Sequence, residues 1–267
     1  MIGASRNGGG RGLDARGLTK RYAAVAVVRG VDVVVRPGEV VGYLGPNGSG
    51  KTTTVRMLTG LTEPSDGTVV HDGRNIYSDL VAFRRRLGYV PEEAHVYPFL
   101  SGREYLELVG RLRELPVALL EKKIASLLEL FGILSAADQP ISGYSKGMKQ
   151  KVLISAALLH DPELLILDEP ESGLDVTAVL VLRNLILELA RRGKAILYSS
   201  HIMESVERVC SRVMVLHRGS VVADDSSGNL RALMKHDSLE AVFAELVVQE
   251  NPARTASDIA DVAAMRA

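Results

Sequence analysis

The sequence predicts an α/β fold that carries a mostly helical insertion. Three observations carry this reading. The apolar segment 39–44 (Glu-Val-Val-Gly-Tyr-Leu) runs into a glycine-rich loop, then into a helical pattern with Val55, Met57, Leu58 and Leu61. A second apolar run, 164–167, ends in two acids, Asp168 and Glu169. Between them, apolar residues recur at helical spacing: Tyr105, Leu106, Val109 and Leu112, then Leu119, Leu120, Ile124, Leu127, Leu128 and Phe131.

Taken in order, residues 1–15 are glycine-rich and are expected to form a flexible tail. The valine-rich stretch 25–35 reads as strand, and Pro37-Gly38 as the turn before the segment 39–44. Short strands are expected from 68 to 72 and into Val90, followed by a helical subdomain over about 91–159. The strand 164–167 leads to a helix over about 177–192, with Gly193 as its stop signal. A strand at 195–199 and a hairpin over 213–222, turning at Arg218-Gly219-Ser220, complete a domain placed at 16–250. The small, polar stretch 251–267 reads as a tail, and no internal repeat is visible.

Composition narrows the function. Hydrophobic residues make up 46% and charged residues 24%, which suits a globular chain and not a disordered one. Lys plus Arg and Asp plus Glu are both 32, so bulk charge gives no reason to expect nucleic acid as a partner. The single cysteine, Cys210, excludes an intrachain disulfide and a multi-cysteine metal site. The longest apolar stretch, 152–167, is broken by His160, Asp161, Pro162 and Glu163, so no span is expected. Residues 1–17 contain no apolar block, and no signal peptide is expected. The expectation is a soluble protein of a reducing compartment, brought to a membrane only by a partner.

The loop Gly45-Pro46-Asn47-Gly48-Ser49-Gly50-Lys51-Thr52 has the glycine spacing of a phosphate cradle. Its glycines permit backbone angles that aim several N–H groups at phosphate oxygens, and the helix that follows adds its positive end. Lys51 is placed to reach the β- and γ-phosphates, and the Thr52 hydroxyl to ligate Mg²⁺. Thr53 is counted with the phosphate-binding set. The apolar strand that ends in Asp168-Glu169 supplies the other half of such a site. Asp168 is expected to hold Mg²⁺, mainly through water, and Glu169 to polarise an attacking water. The predicted substrate is a nucleoside triphosphate, and the reaction phosphoryl transfer to water.

With these residues in place, the chain resembles the ATP-binding subunits of ABC transporters, from Leu18 to about Val248. The segment Tyr144-Ser145-Lys146-Gly147-Met148-Lys149-Gln150-Lys151 resembles the family's signature loop. The resemblance implies that Ser145, Lys146, Gly147 and Met148 contact ATP held by a second cassette; Lys146 and Met148 stand where glycine and glutamine are commoner. Ser172-Gly173-Leu174-Asp175 resembles the D-loop that couples the two nucleotide sites, and the Glu171 before it reads as a solvated surface acid. His201 matches the switch histidine, and Tyr22 the aromatic that stacks on adenine. Glu92 stands where the family usually has glutamine, and is expected to ligate Mg²⁺ while adding negative charge near the γ-phosphate. The segment 237–243 is similar to the closing motif of exporter-type members.

The implied fold is a P-loop NTPase of the ABC cassette type, with a flanking antiparallel β region and the inserted helical subdomain. The implied cofactors are ATP and Mg²⁺. The implied partners are an integral membrane permease and a second cassette, identical or not, with the chain held at the cytoplasmic face of the membrane. Two alternatives stand beside this: a soluble ABC ATPase, and a regulatory subunit that binds ATP but hardly hydrolyses it.

Overall fold

Valines on alternate positions build the first sheet. The computed structural model describes residues 12–93, 96–247 and 260–263. Strand β1 (Leu13–Tyr22) lies between β2 (Val25–Val35) and β4 (Asp66–His71), and β5 (Arg74–Asn75) closes the far edge, all antiparallel. On β2, Val31, Val33 and Val35 point inward while Asp32 faces solvent, the two-residue alternation of a half-buried strand. Strand β1 escapes sequence reading because register shifts after Ala15 and Leu18 break that alternation. It begins at Leu13, so the expected tail boundary at 15 falls inside a strand. Residues 1–11 of that tail lie outside the described residues.

The second sheet carries the chemistry. Its order is β10 (Ser220–Asp225), β9 (Arg212–His217), β3 (Val40–Leu44), β8 (Ala195–Ser199), β7 (Leu164–Asp168) and β6 (Leu87–Val90). All neighbours are parallel except β9 and β10, which form the expected hairpin. Strands β3, β7 and β8 are buried at every position, which is why they read as unbroken apolar runs.

Helix α1 (Lys51–Leu58) inserts Val55, Met57 and Leu58 into a core shared with Leu13 and Val33 of the antiparallel sheet and Val41 and Ile166 of the parallel one. Helix α2 (Leu80–Arg86) is too short for its period to be read; the Asp79 carboxylate caps it by accepting from the Ala82 N–H at 2.9 Å. Inside the expected helical segment lie α3 (Gly102–Leu112), α4 (Val117–Leu130) and α5 (Lys146–Leu158). They close over a core of their own, including Leu106, Leu120, Ile124, Leu128 and Val152.

The other face of the parallel sheet is covered by α6 (Val176–Arg191), α7 (Met203–Val209), α8 (Ser227–Met234) and α9 (Leu239–Val247). Helix α6 buries Leu182, Ile186 and Ala190, one stripe at four-residue spacing, and ends within one residue of the expected boundary. Residues 260–263 form one helical turn; the rest of the expected tail 251–267 lies outside the described residues. No described helix is long and apolar enough to cross a membrane.

Candidate active site

The carboxyl ends of β3, β6, β7 and β8 meet at one edge of the parallel sheet, the edge at which such sheets bind ligands. A cavity of about 590 Å³ opens there. Its lining includes Gly45, Pro46, Asn47, Gly48, Gly50, Lys51, Thr52 and Thr53, together with Glu92, Asp168, Glu169 and His201. These twelve predicted site residues therefore share one concavity. Ser49, the remaining loop residue, is buried, and its carbonyl accepts a hydrogen bond from the Gly219 N–H at 2.9 Å.

Two glycines explain the loop's shape. Gly45 has no room for a side chain: a Cβ there would lie 2.5 Å from the Leu216 carbonyl oxygen and from Ser49 Oγ. Gly50 has φ +103°, a left-handed conformation that a side chain would strain, and it starts α1. The Lys51 ammonium folds back over the loop and donates to the carbonyls of Gly45 and of Pro46, the latter at 3.2 Å. Burial holds Lys51 below its ordinary pKa, against the opposing pull of Glu169, Asp168 and Glu92.

Three carboxylates of unequal environment face this lysine. Glu92 is exposed, Glu169 is 9% exposed and Asp168 only 2%. Burial pushes the Asp168 carboxyl up to about 6, and the charges of Glu92 and Glu169 add to the shift. Asp168 Oδ2 is buried without a hydrogen-bond partner. An orphaned buried carboxylate oxygen beside a second carboxylate and the Thr52 hydroxyl is a hard-oxygen donor set, and it fits Mg²⁺.

Glu169 adopts φ +47°, rare for a residue with a side chain and characteristic of strained functional turns. Its N–H donates to the Ser199 carbonyl at 2.9 Å, which holds the turn against the end of β8. Its Oε2 lies 2.7 Å from His201 Nδ1, joining the segments just past the ends of β7 and β8 into one acid–imidazole pair.

The signature segment lies elsewhere. Ser145, Gly147 and Met148 line a second concavity with Gly173 and Asp175, and none of them lines the first. Ser145 caps α5, its Oγ accepting from the Met148 N–H at 3.2 Å. Helix and turn touch closely: a Cβ on Gly147 would come 2.5 Å from the Gly173 carbonyl oxygen, and one on Gly173 would meet the Lys146 side chain. Gln150, buried in α5, donates from Nε2 to the Pro170 carbonyl at 3.0 Å.

The family model for the ABC transporter matches residues 28–172, more than half of the chain. The chain belongs to the ABC transporter family. It is 36% identical to the ABC transporter ATP-binding protein NatA of Bacillus subtilis, over 88% of this chain and 96% of that one. It is 37% identical to the Nod factor export ATP-binding protein I of Ralstonia nicotianae, over 84% of this chain and 69% of the relative. A solved structure of an ATP-binding subunit of an ABC transporter superposes with a TM-score of 0.83 at 34% identity, covering 88% of this chain and 99% of that chain. The chain is thus an ATP-binding subunit with the P-loop ABC ATPase fold.

Within this ABC fold, three points go beyond or against the sequence reading. Tyr22 is exposed at the end of β1, with the Lys20 ammonium 5.6 Å from its ring, and does not line the cavity; Val27 of the neighbouring strand does. Met203 and Phe243 form an apolar part of the same wall and were not anticipated there, since their helices reach it only through the fold. Phe243 does fall within the closing motif read at 237–243. Glu171 is not a solvated surface acid: it is 6% exposed and hydrogen-bonded on both oxygens.

Proposed function

We propose that this chain is the ATP-hydrolysing subunit of an exporter, coupled to a separate integral membrane permease at the cytoplasmic face of the membrane. The observation that carries the reading is the shared cavity, in which the glycine loop, Lys51, three carboxylates and the Glu169–His201 pair face one another. Family membership implies ATP hydrolysis, and the Nod factor export relative and the 237–243 motif support the export direction.

In this reading the 45–53 loop and Lys51 hold the triphosphate by backbone N–H groups and one fixed cation. Thr52, Asp168 and Glu92 are the residues that would hold Mg²⁺. When bound, the ion supplies charge neutralisation at the β- and γ-phosphate oxygens. Glu169 accepts a hydrogen bond from the attacking water and polarises it, with His201 fixing the carboxylate's direction. Ser145, Lys146, Gly147 and Met148, with the D-loop residues Ser172, Gly173, Leu174 and Asp175, act on the ATP of a second cassette.

Two measurements test this. Tagged chain extracted from native membranes in mild detergent should bring down a polytopic membrane protein in near-equal amount. Purified chain should hydrolyse MgATP at least about tenfold faster than Glu169→Gln. Ribosomal partners alone would favour a soluble ATPase, and a rate equal to that of Glu169→Gln would favour a regulatory subunit.

A further inference from the structure

Glu171 lies between Glu169 and the turn 172–175, and its side chain is only 3% exposed. A buried carboxylate is costly unless its oxygens are paired. Here they are. Oε1 accepts from the Tyr198 phenol at 2.9 Å and from Arg183 Nε at 3.1 Å. Oε2 accepts from the Ser205 hydroxyl at 2.6 Å. Arg183 Nη2 donates in turn to Ser205 Oγ at 2.6 Å, so the hydroxyl both accepts and donates.

The partners' positions give the cluster its meaning. Tyr198 is on β8, just before the His201 turn, and Ser205 is on α7, just after it. One carboxylate therefore grips both flanks of the segment that carries His201. The same carboxylate is covalently two residues from Glu169, whose Oε2 meets His201 Nδ1 at 2.7 Å. Arg183 adds α6, the helix that leads out of the D-loop turn. Burial, then the adjacent carboxylate, push the Tyr198 phenol's pKa up, so it stays a donor.

We infer that Glu171 is a positioning residue for hydrolysis: it clamps the His201 turn to the segment bearing Glu169 and so keeps that pair aligned. His201 is itself exposed, with 75% of its side chain accessible, and the contact to Glu169 is the only side-chain hydrogen bond described for its ring. A ring so lightly held depends on the backbone at its two flanks for its direction. The inference rests on the ATP-hydrolysing reading above.

The test uses the full-length chain and MgATP turnover. Tyr198→Phe and Ser205→Ala each remove one oxygen atom and leave Arg183 paired with Glu171, so they remain informative even where Glu171→Ala fails to fold. Each is expected to lower kcat about three- to tenfold with KM for MgATP within about twofold, and Glu171→Gln to fall in the same direction. In a His201→Ala background, followed by single-turnover hydrolysis, the same substitutions should change the rate less than about twofold, because the pair they align is gone. Unchanged kcat in both single-oxygen variants overturns the inference. So does a loss of undiminished size in the His201→Ala background, which marks a merely structural cluster. A wild-type rate no higher than that of Glu169→Gln overturns the hydrolytic reading and this inference together.

Discussion

Asp168 works against its own burial. Its carboxyl is raised from 3.8 to about 6, so the folded chain retains a proton that the unfolded chain releases. Below about pH 4 both states are protonated and the shift costs nothing. Above about pH 6 the folded protein holds an ionised, buried carboxylate, at roughly 3 kcal/mol by the linkage between pKa and stability. Metal-free Asp168→Asn is therefore expected to melt several degrees higher than wild type at pH 8, with the gap closing as pH falls from 6 to 4. Thermal melts in a chelator measure this, and coincident melts at pH 8 would refute it. Metal binding needs the ionised form, so Mg²⁺ affinity should weaken as pH drops through about 6. The residue's place at the end of a buried strand was legible in the sequence. Its shifted acidity was not, because that depends on what covers it.

Gly147 and Gly173 show how two elements meet. The signature helix α5 and the D-loop turn approach so closely that the Gly173 carbonyl oxygen would sit 2.5 Å from a Cβ at Gly147. Gly147→Ala must push helix and turn apart, and neither Gly147 nor Gly173 lines the first cavity. The expected result is turnover lowered at least about tenfold, with the Kd of the isolated chain for MgATP within about twofold. Calorimetry and steady-state kinetics on the same preparation separate the two quantities; a parallel loss of both would show that the cavity itself had been disturbed. Both glycines were visible as parts of motifs. Their contact was not, since 26 positions separate them and only the packing of α5 on the segment after β7, with Gln150 on the Pro170 carbonyl, brings them together.

The two concavities lie on one chain but share no lining residue. A second cassette, turned head to tail, is the simplest way for signature residues to reach a bound nucleotide. If so, slowing hydrolysis should trap the pair. Glu169→Gln is expected to run as a monomer without nucleotide and as a dimer in MgATP, read by light scattering behind size exclusion. A Glu169→Gln chain that stays monomeric at saturating MgATP would remove the support for this arrangement. The fold class was readable because three of its pieces are local: the apolar strands β3 and β7, the glycine loop, and the four-residue spacing of α3, α4 and α6. Strand β1 and helix α2 were not, one because bulges break its alternation and the other because seven residues do not establish a period.

The sequence by itself determined the shape of the glycine-rich loop, since closely spaced glycines allow the backbone angles it adopts. It also determined which strands are central, since a strand covered on both faces must be apolar throughout. Only the tertiary structure decided the fate of four acids that look alike on paper. Glu92 remains in solvent, Asp168 is buried and unpaired on one oxygen, Glu169 meets His201, and Glu171 is enclosed by Tyr198, Arg183 and Ser205. A carboxylate's protonation and role depend on the groups around it, and those come from strands and helices far along the chain. They become neighbours only when the sheet order β9–β3–β8–β7–β6 is set.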